Sequence, residues 1–202
     1  MGFYADRIVP HLVNLAMRNS RLAPYRERIL SQAEGRILEI GVGSGQNLPL
    51  YTNRANVVLG LEPHPRLLDM ALSKKSSVPT TLLEGSAEAL PLDTSSIDTV
   101  VTTWTLCSIP DVAKALTEMK RVLKPGGQLL FVEHGLSPDE GVRKWQNRLN
   151  PVWKKIAGGC HLNRPIGDLI QSAGFRISRL SQGYMQGPKP MTFTYEGAAR
   201  PA

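Results

Sequence analysis

The sequence predicts an α/β fold in which a doubly wound, mostly parallel sheet carries helices on both faces. Three observations lead there. Short runs rich in Val, Ile and Leu recur from residue 36 onward, as strands buried on both faces require. Helical patterns separate these runs, so strand and helix alternate along the chain. The 202 residues, 42% of them apolar, suffice for one domain with a substantial core.

Taken in order, the first 35 residues read as two helices, about 4–18 and 21–33, with Pro24 near the start of the second, where a missing N–H is tolerated. They are expected to cap one end of the sheet. The predicted strands are "RILEI" (36–40), "VVLGL" (57–61), "TTLLE" (80–84), "IDTVVTT" (97–103) and "GQLLFVE" (127–133). Helices are predicted at about 47–54, 65–75 and 111–123, the last with Lys120, Arg121 and Lys124 before the breakers Pro125, Gly126 and Gly127. A basic helical region follows over about 140–157, expected to break at Pro151, and then a helix near 165–173. "FRISRLSQGYM" (175–185) and "KPMTFTYEGA" (189–198) alternate apolar with polar residues, as a hairpin at a sheet edge does.

Composition narrows the function classes. No stretch reaches the roughly 18 apolar residues of a membrane span. The opening residues carry Asp6, Arg7 and His11 where a signal peptide needs an apolar core, so a cytoplasmic protein is expected. Cys107 and Cys160, the only two cysteines, lack C-x-x-C spacing and are expected to be reduced. Cys160 and His161 are adjacent, a poor geometry for one ion, and no metal site is predicted. The net charge of +7 favours an anionic partner such as a lipid surface, an acidic substrate or nucleic acid. Nucleic acid is not expected, because aromatic residues are only 6% of the chain and no binding motif is present.

The segment "LEIGVGSGQNLPLY" (38–51) carries the most chemistry. A dinucleotide fingerprint, G-x-G-x-x-G, would need its third glycine where Gln46 stands. The spacing is instead G-x-G-x-G over Gly41, Gly43 and Gly45, with Glu39 two residues ahead. Glycines let a ligand approach the backbone, and the Glu39 carboxylate suits a cationic group but not a pyrophosphate. S-adenosylmethionine, adenosine at one end and an ammonium at the other, fits both halves. In its strand-to-helix setting the loop resembles the first motif of the class I S-adenosylmethionine-dependent methyltransferases. A plain glycine turn with a surface glutamate is the competing reading.

Further segments extend the resemblance over about residues 36–135. Glu62 ends the second run, where an acid can accept hydrogen bonds from ribose hydroxyls; NAD enzymes do the same, so an oxidoreductase remains a rival. "LLEGSAEALPLDTSSIDTV" (82–100) is similar to the family stretch G-D-A-E-x-L-P-F, whose acid and backbone amide contact adenine. Ser86 replaces the acid, which leaves the contact to Ser86, to the Ala87 amide or to Glu88, with helix capping as the alternative. Asn47, Pro63 and Thr103 complete the residues assigned to the cofactor. "RVLKPGGQLLFVEHG" (121–135) resembles the family's turn into its fifth strand. The resemblance implies a single Rossmann-like domain with a mostly parallel seven-stranded sheet and S-adenosyl-L-methionine as cofactor. Within it, residues 1–35 are the helical cap, 36–135 the cofactor-binding core, and 136–202 the acceptor-site helices and edge hairpin.

Ligands of open α/β sheets bind at the carboxyl ends of the strands, which nominates "TTWTLCSIP" (102–110) and "VEHGLSP" (132–138) for the acceptor. Trp104, Cys107 and His134 are the candidate catalytic residues. His134 can act as a base, whereas ordinary packing competes for Trp104 and Cys107. From 141 to 165 there are six Lys and Arg residues and no acids, with Trp145 and Trp153 among them. This region either contacts an anionic membrane peripherally or is a solvated basic face with two core tryptophans. The run "EHGLSP…W…NPVWKKIAGGCHLNR" is similar to a subgroup of alkyl-thiol methyltransferases and bacterial phospholipid or quinone-type methyltransferases. That likeness implies a small or lipophilic acceptor, with a thiol or sulfide preferred because a thiolate is a strong nucleophile. N-methylation of a phospholipid head group, C- or O-methylation of a quinone-type acceptor, and a non-catalytic cofactor-binding module remain alternatives. The hydrophobic N-terminal anchor of the microsomal members is not expected here.

Overall fold

A computed structural model describes residues 4–202, so the first three residues of the predicted cap lie outside the described residues. Tyr4–Ile8 form a wide turn leading into α1 (Val9–Met17), and a short 3-10 turn precedes α2 (Ala23–Leu30). Then come β1 (Gly35–Ile40), β2 (Ala55–Glu62), α3 (Pro65–Leu72), β3 (Thr80–Glu84), β4 (Ile97–Thr103), α4 (Val112–Val122) and β5 (Leu123–His134). The chain closes with α5 (Glu140–Ile156), α6 (Ile166–Ser172), β6 (Phe175–Tyr184), the single turn α7 (Lys189–Thr192) and β7 (Phe193–Pro201).

The seven strands form one sheet in the order β3-β2-β1-β4-β5-β7-β6. The first five run parallel, and β7 inserts antiparallel between β5 and β6. Alternation along each strand divides the core into two layers. Leu38, Ile40, Val100, Leu129 and Phe131 pack on one face with Leu116 and Met119 of α4 and Ile170 of α6. Ile37, Val58, Val101, Leu130 and Val132 pack on the other with Ile29 and Leu30 of α2 and Ala71 of α3. The predicted hairpin is present, with β6 as the exposed outer strand and β7 buried.

Four expectations need correction. The helix predicted at 47–54 is a single 3-10 turn, Leu48–Leu50, because the chain turns extended at Tyr51, whose hydroxyl is drawn inward to Glu39. The two cap helices divide their roles: α1 borders the cavity along its length, whereas α2 buries Ile29 and Leu30 completely against the sheet and gives only Arg26 to the cavity wall. The strand expected at 127 begins at Leu123, which pairs with Ile97 before a register shift admits the Pro125-Gly126-Gly127 segment. Nor does the basic helix break at Pro151: α5 is continuous. Pro151 and Asn147, whose carbonyl loses its helical donor, are both exposed, so water can satisfy that carbonyl.

Candidate active site

The parallel strands end at one edge of the sheet, and the loops leaving them surround a cavity of about 1270 Å3. After β1 the backbone must turn sharply beneath a ligand, and Gly41 and Gly43 do so with φ of +68° and +55°. A side chain at Gly41 would collide with Thr105, its Cβ falling 2.5 Å from Cγ2, whereas a Cβ at Gly43 would meet only the Gly41 carbonyl, at 3.9 Å. Gly45 packs inside the loop. It does not line the cavity but lets the loop pack against Ala71 and Lys74 of α3, the nearest atom lying 2.9 Å from its added Cβ.

Two carboxylates face this loop. Glu39, at 1% exposure, accepts hydrogen bonds from Asn47 Nδ2 at 2.9 Å and the Tyr51 hydroxyl at 2.8 Å. Burial pushes its carboxyl up to about 7, against the opposing pull of those two donors and of the Arg26 guanidinium. Asn47 also donates to Thr103 Oγ1 at 3.0 Å, and its own Oδ1 is buried with no partner among the described residues. Glu62, at the end of β2, accepts the N–H of Gly43 and of His64, each at 3.0 Å. Burial raises its carboxyl too, with those amides opposing. A carboxylate has about four acceptor sites, so two remain for a ligand diol. Pro63, Ser86, Ala87 and Thr103 also line the cavity. Glu88 does not: its Oε1 accepts the Asp111 N–H at 2.7 Å beside α4, and Ser86 Oγ accepts the Glu88 N–H at 3.2 Å in a local turn that no helix follows.

The three candidate catalytic residues line the same cavity. Trp104 follows β4 with φ +52°, an uncommon conformation for a bulky residue. Its ring packs under Arg26, 5.1 Å from the guanidinium carbon, and edge-on to Tyr25, while its indole N–H is buried without a partner among the described residues. His134, the last residue of β5, sets Nε2 3.1 Å from the His161 carbonyl and 3.3 Å from Cys160 Sγ. Burial opposes its protonation, yet the Cys160 sulfur, the charge of Glu133 and the His161 carbonyl together raise its pKa. Cys107 lies beside Cys160, and hydrogen bonding to the Cys107 sulfur together with burial pushes the Cys160 thiol well up. Trp153 lines the same wall and donates its indole N–H to Cys160, but Trp145 is 55% exposed, so the expected pair of core tryptophans is not formed.

Two residues of this site escaped the sequence reading. Arg26 of α2 is buried at the cavity wall, its guanidinium donating to the Met17 carbonyl at 3.0 Å. Burial lowers its pKa and the Glu39 charge opposes that. Nothing in the sequence marks one arginine of a cap helix for this place. Glu133, fully buried, accepts the N–H groups of Thr105 and Leu106, each at 3.1 Å, and so fixes the loop that carries Trp104 and Cys107. Its signal was legible as an acid at the end of a fully apolar run.

A glycine cradle, a buried carboxylate and a diol-ready acid along one wall match the donor and acceptor set of S-adenosylmethionine. Comparisons with known proteins agree. A methyltransferase domain model matches residues 38–131. The thiol S-methyltransferase TMT1B of Rattus norvegicus is 36% identical over 146 residues, 69% of this chain and 59% of that protein. TMT1B of Homo sapiens is 30% identical over 171 residues, 78% of this chain and 70% of its own length. The chain thus spans about three fifths of the rat relative it matches. Among solved structures, a SAM-dependent methyltransferase from Methanosarcina mazei superposes with a TM-score of 0.68 at 22% identity, over 84% of this chain and 93% of that one. With the order of its strands, the loop after β1 and relatives of this extent in agreement, the chain belongs to the class I S-adenosylmethionine-dependent methyltransferases.

Proposed function

We propose that the protein transfers a methyl group to the sulfur of a small or lipophilic thiol or sulfide. The likeness to thiol S-methyltransferases carries this reading. The cavity supports it: Leu12, Leu67, Ile109, Met185 and Met191 line it, a surface suited to an apolar acceptor. In this reading Glu39 and the backbone from Gly41 to Ser44 hold the methionine portion of the cofactor, Glu62 the ribose, and Ser86 and Ala87 the adenine. Bound there, S-adenosylmethionine supplies a methyl carbon activated by its sulfonium. The chain's own part is to align the acceptor, exclude water and lower the cost of a thiolate at the wall of Cys107 and His134. Assays with a small alkyl thiol, phosphatidylethanolamine and a quinol precursor should yield the S-methyl product. Transfer only to the lipid amine or the quinol would overturn the reading.

Cofactor affinity should depend on pH through Glu39. Its carboxyl, raised to about 7, must be ionised to pair with an ammonium, so affinity falls about tenfold per pH unit below 7. Above about 8 the amino group of the cofactor loses its own charge, so affinity should peak between these values. Calorimetric titration from pH 5.5 to 9 in paired buffers checks this, and a flat profile would remove Glu39 from the ammonium site.

Peripheral attachment to an anionic membrane is a second reading, favoured by α5. Trp145, Val152 and Ile156 are exposed on it, together with Arg148, Lys154 and Lys155, and Leu12 and Leu15 of α1 are exposed as well. No described helix is long and apolar enough to cross a membrane. Salt-sensitive co-sedimentation with vesicles containing phosphatidylserine, weakened by K154E/K155E, is the expected outcome. Equal binding to zwitterionic vesicles would count against it.

A further inference from the structure

We propose that Cys107, His134 and Cys160 form a binding site for one divalent cation of the zinc class, with a fourth coordination position open to the acceptor end of the cavity. The three residues come from the loop after β4, the end of β5 and the turn after α5, yet their ligand atoms all lie within 4.8 Å of one another. Ligands arranged tetrahedrally about zinc at its usual bond lengths stand roughly 3.5–3.8 Å apart, so small rotamer shifts suffice. No disulfide joins the two sulfurs; both thiols are free and buried.

The donor set chooses the ion. Two sulfurs and an imidazole disfavour calcium and magnesium and suit zinc. Three protein ligands beside a cavity is the pattern of a catalytic rather than a structural zinc site. All three residues line the cavity wall, which leaves the fourth position on the side where an acceptor enters. The surroundings are those of coordinated sulfur. Trp153 donates its indole N–H to Cys160 Sγ at 3.3 Å, and the Ser108 hydroxyl lies 3.4 Å from Cys107 Sγ. Two thiolates and one dication sum to zero charge, which a buried site tolerates. Arg164, whose guanidinium feels both cysteines, would offset a further anionic ligand. Loading exchanges the contact of His134 Nε2 with the His161 carbonyl for a metal bond, the Nε2 proton passing to Nδ1 or to solvent, and both thiol protons leave to solvent.

The role of the ion rests on the thiol-acceptor reading: an acceptor thiol entering the fourth position would lose its proton to solvent and be held as thiolate. The site itself does not depend on that reading, and its test is independent of methyl transfer. The full chain, reduced and stripped of metal, is titrated with Co2+ and then Zn2+. Expected are one ion per chain and a sulfur-to-cobalt charge-transfer band. Cys107→Ser and Cys160→Ser should each abolish the band in protein that circular dichroism shows to be folded. Trp153→Phe, which keeps every ligand, should weaken Zn2+ by roughly 10- to 100-fold. A missing band, a band that survives both serine variants, or a Cys107–Cys160 disulfide forming in place of metal uptake overturns the site. A small alkyl thiol should then perturb the cobalt spectrum; a proven metal site with no such perturbation overturns the acceptor role alone.

Discussion

Replacing Glu62 by alanine should weaken S-adenosylmethionine binding by at least about 100-fold while the protein stays folded. Hydrogen bonds to a charged group contribute about 1.5–3 kcal/mol each, and two ribose hydroxyls would share this carboxylate. The sum, at about 1.4 kcal/mol per tenfold, exceeds two decades of affinity. A second loss adds to the first. Glu62 also holds the N–H groups of Gly43 and His64, so its removal frees the glycine loop beneath the ligand. Glu62→Gln separates the two effects, since its carbonyl oxygen can keep one loop amide while its NH2 cannot accept the other. An intermediate loss is expected for it. Calorimetry on the three proteins checks this, and an alanine variant that binds within threefold of the parent would remove Glu62 from the ribose site.

Glu133→Ala should be the most destabilising single change at the site, by roughly 2–6 kcal/mol in chemical denaturation, because two buried amides, those of Thr105 and Leu106, lose their acceptor. Desolvation pushes its carboxyl up to about 7, as it does that of Glu39. The sign of the pH effect follows. Between about 4.5 and 7 the folded protein retains protons that the unfolded chain has released. Stability from these groups is therefore fully present below 4.5, falls as pH rises to about 7 and is flat above, by at most on the order of 3 kcal/mol for each. Glu133→Gln cannot ionise, so its stability profile should be flatter than the parent's over that window. A parallel pair of profiles would show that burial does not hold the Glu133 proton.

Legibility in the sequence followed the range of the interaction. The five parallel strands and the closing hairpin were readable because burial on two faces writes continuous Val, Ile and Leu runs, and an outer hairpin writes alternation. Glu39, Gly41, Gly43 and Glu62 were readable because one strand-loop unit places them within a few residues of the sheet edge. Gly45 and Glu88 stand outside the cavity lining for one reason: spacing says where a residue falls along the chain but not which way it faces. The missing helix at 47–54 and the unbroken helix through Pro151 turned on the Tyr51–Glu39 hydrogen bond and on solvent access to one carbonyl.

By itself, then, the sequence determined the layered α/β architecture and the glycine-loop wall of the cavity, since both arise from local periodicity and from one short loop. Only the tertiary structure decided what faces that wall. Arg26 and the trio of Cys107, His134 and Cys160 meet there from separate elements, at sequence separations of 26 residues or more within the trio. Such convergence leaves no spacing to read, because packing of the helices and loops on the sheet, not the local order of residues, brings those side chains together.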